Sequence, residues 1–122
     1  MRRRFGKVIN ELAKRDDKIV LIVGDIGYGI FDDFRKEHPK KFFNLGICEQ
    51  SIISFASGVA LEGLKPWVYT ITPFLIERPF EQIKLDIDQQ NVNVNLVGFA
   101  DYPTLGPSHA ELDAEKLMKL FK

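Results

Sequence analysis

The chain has 122 residues, 45% of them hydrophobic, which suits one compact domain with a single core. Its 17 basic and 17 acidic residues cancel, so nothing global draws it to nucleic acid or lipid, and no apolar run is long enough to cross a membrane. One cysteine, Cys48, excludes an internal disulfide framework and fits a reducing compartment, with the cytoplasm the expected location.

Arg2-Arg3-Arg4 lacks the apolar segment that follows the basic region of a signal peptide, and reads as the solvated start of a helix. From Phe5 to Lys14, the residues Phe5, Val8, Ile9 and Leu12 recur at helical spacing. Ile19-Val20-Leu21-Ile22-Val23 is a β-branched run of the kind buried on both faces of a parallel sheet. It ends at Gly24-Asp25-Ile26-Gly27-Tyr28-Gly29. The glycine spacing is not that of a dinucleotide fingerprint, and no Lys-Ser/Thr follows to make a P-loop. Asp25 instead places a carboxylate at the strand tip, where open α/β sheets hold ligands.

Phe31 and Phe34 predict a short helix closed at His38-Pro39, with His38 a solvated residue. Phe42-Phe43-Asn44-Leu45 is an aromatic strand that turns at Gly46 and delivers Glu49 into the first turn of an almost uncharged helix reaching Leu64. That helix carries Ile52, Ile53, Phe55, Ala56, Val59, Ala60 and Leu61, with Ser54, Ser57 and Gly58 between them, so it should be covered on most sides. Glu49 has two readings. It is a carboxylate favoured by the helix dipole, or it is an acid that polarises a ligand in a water-poor site. Cys48 at a helix start could be a nucleophile, but apolar surroundings argue against it.

Trp67 to Ile71 reads as a further strand, and Thr72 to Gln82 as a loop running into a helix with Pro79 in its first turn. Ile83, Leu85 and Ile87 continue that helix. Asp86 and Asp88 on it lack convergent partners, so no metal site is expected. Asn93 and Asn95 alternate with Val92, Val94, Leu96 and Val97 in a fourth strand. A loop covers Gly98 to His109, and Glu111 to Lys122 forms an amphipathic helix. Alternating strands and helices predict an α/β fold, a three-layer parallel sheet with helices on both faces, forming one domain over residues 1–122.

Gly46-Ile47-Cys48-Glu49-Gln50 with its small-residue helix, Tyr69-Thr70-Ile71-Thr72-Pro73-Phe74, and Gly106-Pro107-Ser108-His109 stand in an order that resembles the pyrimidine-binding domain of transketolases. The likeness runs from Phe5 to Lys122. It implies the thiamine-diphosphate-binding fold, thiamine diphosphate as cofactor, and transfer of a two-carbon ketol unit between sugar phosphates. A dehydrogenase-component or deoxyxylulose-phosphate synthase activity is the related alternative. By the resemblance, Glu49 is the catalytic acid that hydrogen-bonds a ring nitrogen of the cofactor's aminopyrimidine and favours its imino tautomer. Asp25, Ile26, Phe74 and Phe80 line the cofactor pocket, Phe74 packing on the pyrimidine. His109 faces substrate oxygens, and Arg78 matches a sugar-phosphate position of the deoxyxylulose-phosphate branch.

Departures from the family also matter. Leu105 stands where transketolases usually carry an acid that contacts a substrate hydroxyl, which opens the question of substrate. Gly24-Asp25-Ile26 is not the family's Gly-Asp-Gly metal motif, so magnesium and the diphosphate are expected on a partner subunit or domain in a homo- or hetero-oligomer. The Met1-to-Lys7 start resembles that of the second subunit of split transketolases, and the domain is expected to be incomplete at its C-terminus. A competing expectation is a non-catalytic assembly module of the same fold, with the Cys48–Leu64 helix as its contact surface.

Overall fold

A computed structural model describes residues 1–121. Helix α1 (Arg2–Arg15) takes in the arginine triplet and buries Gly6, Ile9, Asn10 and Ala13 along one stripe. Strand β1 (Ile19–Val23) is buried throughout, and α2 (Asp32–Glu37) and β2 (Phe42–Asn44) follow. Helix α3 (Glu49–Leu61) leads to β3 (Lys65–Ile71), then α4 (Thr72–Ile76) and α5 (Phe80–Gln82), which runs on into a π-helical segment, Ile83–Asp88. Strand β4 (Asn95–Phe99) and helix α6 (Ala114–Met118) complete the chain.

The four strands pair in the order β2-β1-β3-β4, all parallel. The period of two along β1 divides the core. Ile19, Leu21 and Val23 face Ile9, Ala13, Phe31 and Phe34 of the α1–α2 side, whereas Val20 and Ile22 face Ile52, Ile53, Ala56, Leu75 and Ile83 of the α3–α5 side. This is the expected three-layer parallel α/β sheet. The chain leaves β1 for β2 on one side and then crosses to β3 on the other. The order therefore reverses between β1 and β3, and ligands of such sheets bind at the strand ends beside that reversal.

Several boundaries differ from the sequence expectation. Thr72–Ile76 is helical, not loop, because Pro73 falls in the first turn, where its missing N–H costs nothing. The fourth strand starts at Asn95 and includes Gly98 and Phe99, since pairing of Trp67 with Asn95 and Ile71 with Phe99 sets its limits. Helix α3 stops at Leu61, with Gly63 at φ 80° just beyond. The last helix spans only Ala114–Met118, capped by the Asp113 carboxylate on the Lys116 N–H at 3.0 Å; Lys122 lies outside the described residues. Nor is α3 covered on most sides within the chain, since Ser51, Phe55, Gly58 and Leu61 leave an uncharged outer face exposed.

Candidate functional site

Glu49 opens α3 after a turn through Gly46, whose φ of 79° suits glycine. The side chain points inward, and the residue is 3% exposed. Its Oε2 accepts a hydrogen bond from Arg78 Nη1 at 3.0 Å. Its Oε1 is buried and has no hydrogen-bond partner among the described residues. A buried ionised carboxylate needs pairing, since stripping its water costs several kcal/mol, and an orphaned acceptor is rare in native cores. Half of this carboxylate is thus left for a donor from elsewhere.

Arg78 lies between α4 and α5. Its guanidinium carbon sits 3.3 Å from the centre of the Phe74 ring, a close cation–π contact. Phe74 belongs to α4, immediately after β3, and meets the His109 ring edge-on with centroids 4.8 Å apart. His109 ends a loop of two tight turns, held by the Tyr102 N–H on its own carbonyl at 2.8 Å and by Ser108 Oγ 3.2 Å from its Nδ1. The Leu112 N–H bonds to Glu77 Oε1 at 2.8 Å and ties this loop to the end of α4. Glu49, Arg78, Phe74 and His109 therefore form one chain of direct contacts across the carboxyl ends of β2, β3 and β4.

Asp25 stands at the end of β1 with φ 53°, in the left-handed region. Its carboxylate accepts from Tyr28 Oη at 2.6 Å and from Asn44 Nδ2 at 3.1 Å. The Tyr28 hydroxyl first, and the Asn44 amide second, hold the Asp25 carboxyl below the usual carboxylate range. Asn44 also accepts from the N–H groups of Asp25 at 2.9 Å and Gly46 at 3.1 Å, so it staples the β1 tip to the turn that aims Glu49. Asn44 and Tyr28 were not singled out from the sequence. An asparagine ending a strand two residues before a turn glycine was the available signal.

Two expected pocket residues stand apart from the Glu49–His109 chain. Ile26 packs against the core on the α1 side, and Phe80 packs on Phe121 with ring centroids 5.1 Å apart. Arg78 is engaged by Glu49 and Phe74 rather than free at the cleft mouth. Leu105 is exposed on the His109 loop. Cys48 uses its thiol to donate to the Leu45 carbonyl at 3.0 Å, and Asp86 accepts from Ser54 Oγ at 2.5 Å. A cavity of about 460 Å³ lies at the other end of the sheet, beside Trp67, Asn91, Asn95, Met118 and Phe121. Volume therefore does not mark this site; the orphaned acid beside an aromatic face does.

The four-stranded parallel sheet flanked by helices is that of the thiamine-diphosphate-binding type of α/β domain, as comparison with known proteins shows. The chain belongs to the family described as transketolase, pyrimidine binding domain, which it matches over residues 1–121. It is 42% identical over 93 residues to a 1-deoxy-D-xylulose-5-phosphate synthase of Clostridium perfringens, covering 75% of this chain and 15% of that protein. It is 36% identical over 108 residues to an uncharacterized transketolase family protein of Sinorhizobium fredii, covering 86% of this chain and 31% of the other. An uncharacterized 33.6 kDa protein in the fasciation locus of Rhodococcoides fascians is 38% identical over 95 residues, 78% of this chain and 30% of its own length. Among solved structures, a split gene transketolase in an inactive beta4 tetramer superposes with a TM-score of 0.84 at 30% identity, over 96% of this chain and 38% of that one. The chain thus spans well under half the length of each of these proteins. Members of the family use thiamine diphosphate. The residues here fit its aminopyrimidine: Glu49 Oε1 is a buried oxygen without a hydrogen-bond partner among the described residues, and beside it the Phe74 ring carries a planar group, the Arg78 guanidinium, on its face.

Proposed function

We propose that this chain, as one domain over residues 1–122, is the pyrimidine-binding half of a thiamine-diphosphate-dependent transferase of the transketolase type. Assembled with a diphosphate-binding subunit or domain, it would move a two-carbon ketol unit between sugar phosphates. The buried Oε1 of Glu49, without a hydrogen-bond partner among the described residues, is the observation that carries this reading.

Glu49 is the acid that takes a hydrogen bond from, or shares a proton with, a ring nitrogen of the aminopyrimidine. Burial in a low-dielectric site strengthens that one bond. Phe74 supplies the stacking face, and Asp25, at the tip of β1, is tied through Asn44 to the turn that aims Glu49. His109, edge-on to Phe74, is placed to hold a substrate hydroxyl or carbonyl oxygen, and Arg78 carries the positive charge suited to a phosphorylated substrate. The cofactor, when bound, supplies the carbon nucleophile, and the protein's share is orientation and electrostatics. Magnesium and the diphosphate are assigned to the partner, and the cytoplasm to the assembled enzyme. A shared site accounts for why the isolated chain should be inactive, and the beta4 tetramer of the split gene transketolase, described as inactive, is in keeping with that. A second reading, a deoxyxylulose-phosphate synthase-like reaction, is favoured by Arg78, which by the resemblance matches a sugar-phosphate position of that branch, and by the Clostridium perfringens relative.

The test is Glu49→Gln in the enzyme assembled with its diphosphate-binding partner. Turnover is expected to fall at least about 100-fold, as for loss of a general acid–base group, with assembly intact by sedimentation. Full turnover in the variant would overturn the catalytic reading and leave the assembly module in its place.

A further inference from the structure

The contact between Arg78 and Phe74 bears directly on how this site takes its ligand. A guanidinium is flat, delocalised and edged with in-plane N–H donors. An aminopyrimidine ring is also flat, and its ring nitrogen, sharing a proton with a carboxylate, makes the same in-plane bond while its face lies on an aromatic ring. Arg78 does both things at once: its Cζ is 3.3 Å from the Phe74 centroid, and its Nη1 is 3.0 Å from Glu49 Oε2. At van der Waals contact of about 3.5 Å, no second planar group fits between them.

We propose that Arg78 is a gating residue that fills the aminopyrimidine slot and leaves it when the cofactor binds, an inference that rests on the pyrimidine-binding reading above. The physical logic is exchange of one partner for another. Without a ligand, a buried Glu49 carboxylate would stand unpaired, and the guanidinium neutralises it. Arg78 satisfies only one of the two oxygens, so its departure costs one hydrogen bond, and the emptied slot leaves the Glu49 carboxylate to share a proton with an incoming ring nitrogen. The side chain is 33% exposed against 4% for Glu49, so the arginine, and not the acid, has a path to solvent. It sits between the end of α4 at Ile76 and the start of α5 at Phe80, so its movement disturbs no helix interior. A slot filled nine-tenths of the time weakens apparent affinity about tenfold, because only the open fraction binds.

The test uses 4-amino-2-methylpyrimidine as probe on the full chain assembled with its diphosphate-binding partner. In the wild-type protein, the Arg78 Nε–H resonance, assigned by its loss in Arg78→Lys, is expected to lie in the ring current of Phe74 and to move out of it as the probe saturates. Arg78→Lys keeps a positive charge for Glu49 but cannot lie flat on the ring, and Arg78→Ala empties the slot. Both are expected to bind the probe about tenfold more tightly than wild type. Methylguanidinium should compete with the probe in Arg78→Ala. The wild-type measurement needs no variant to fold. If the probe binds in a Glu49- and Phe74-dependent manner while the Arg78 resonance stays put and Arg78→Lys binds no tighter, the gate is overturned and the pyrimidine-binding reading stands. If the probe binds none of the three proteins, or binds Glu49→Gln and Phe74→Ala as well as wild type, the pyrimidine-binding reading falls and the gate falls with it.

Discussion

Tyr69 is the residue where burial and hydrogen bonding conflict most plainly outside the site. Its ring lies between Phe5 and Phe99, stacked at 5.5 and 4.8 Å, with Phe31 edge-on at 4.8 Å. Its hydroxyl is buried and bonds to nothing among the described residues. An unpaired buried hydroxyl costs free energy that a phenyl ring does not, so Tyr69→Phe should be neutral or more stable by about 1 kcal/mol at pH 7. Burial also pushes the hydroxyl up from 10.0 to about 12. A raised folded pKa means the native state keeps a proton that the unfolded chain gives up. The resulting stability is full below pH 10 and is lost as pH rises through 12. Urea midpoints measured from pH 7 to 12 should therefore show the advantage of Tyr69→Phe widening above pH 10; a variant that loses more than 1 kcal/mol at pH 7 would refute the account. At this scale the sequence was partly legible. Glu49 could be singled out because an acid opening an uncharged helix is a local pattern. The Asn44–Asp25 staple and the Arg78–Glu49 pair could not, because each joins side chains that only the fold brings together. The Tyr28–Asp25 bond is local, three residues apart, but carries no sequence pattern of its own.

Two glycines separate what a helix gains locally from what its docking demands. In α1, a methyl at Gly6 would collide with the Ile30 carbonyl oxygen and crowd Ile30 Cγ2 at 3.0 Å, so this glycine lets the helix approach the loop before α2. In α3, a methyl at Gly58 meets nothing within 4 Å. Alanine is better than glycine by up to about 1 kcal/mol inside a helix, but overpacking costs about 1–3 kcal/mol. Gly58→Ala should stabilise by up to about 1 kcal/mol, and Gly6→Ala should destabilise by about 1–2 kcal/mol net, read as shifts in denaturant midpoint at constant slope. Equal shifts of one sign would show that propensity alone governs both helices. The same division explains which elements could be read from the sequence. Strand β1 and helix α1 carry their pattern in their own residues. Helix α4 was hidden by Pro73 and Pro79, which punctuate a sequence even when one falls harmlessly in a first turn. The limits of β4 were hidden because the register against β3, not the alternation of Val92 to Val97, decides which residues pair.

The whole molecule leaves one surface without an internal explanation. From Gln50 to Leu61, α3 carries no charged residue, yet Ser51, Phe55, Gly58 and Leu61 face outward, with Leu61 60% exposed. A helix that only covered its own sheet would show a charged outer face. The same helix holds Glu49 at its first turn, so a partner docked on the outer face would lie next to the site. This continuity is in keeping with the proposed site shared with another subunit or domain. Leu61→Lys places a charge on that face at the end farthest from Glu49. Because the side chain is exposed, the thermal midpoint of the chain should change little, by the equivalent of about 0.5 kcal/mol or less. Burying an unpaired lysine in an interface should instead weaken assembly by at least about tenfold, read by sedimentation against partner concentration. Cofactor affinity should fall only to the extent that assembly falls, and return when partner is added in excess. Weakened assembly with that recovery would fix α3 as the contact that closes the site; unchanged assembly would place the partner elsewhere and leave the bare face of α3 to another cause.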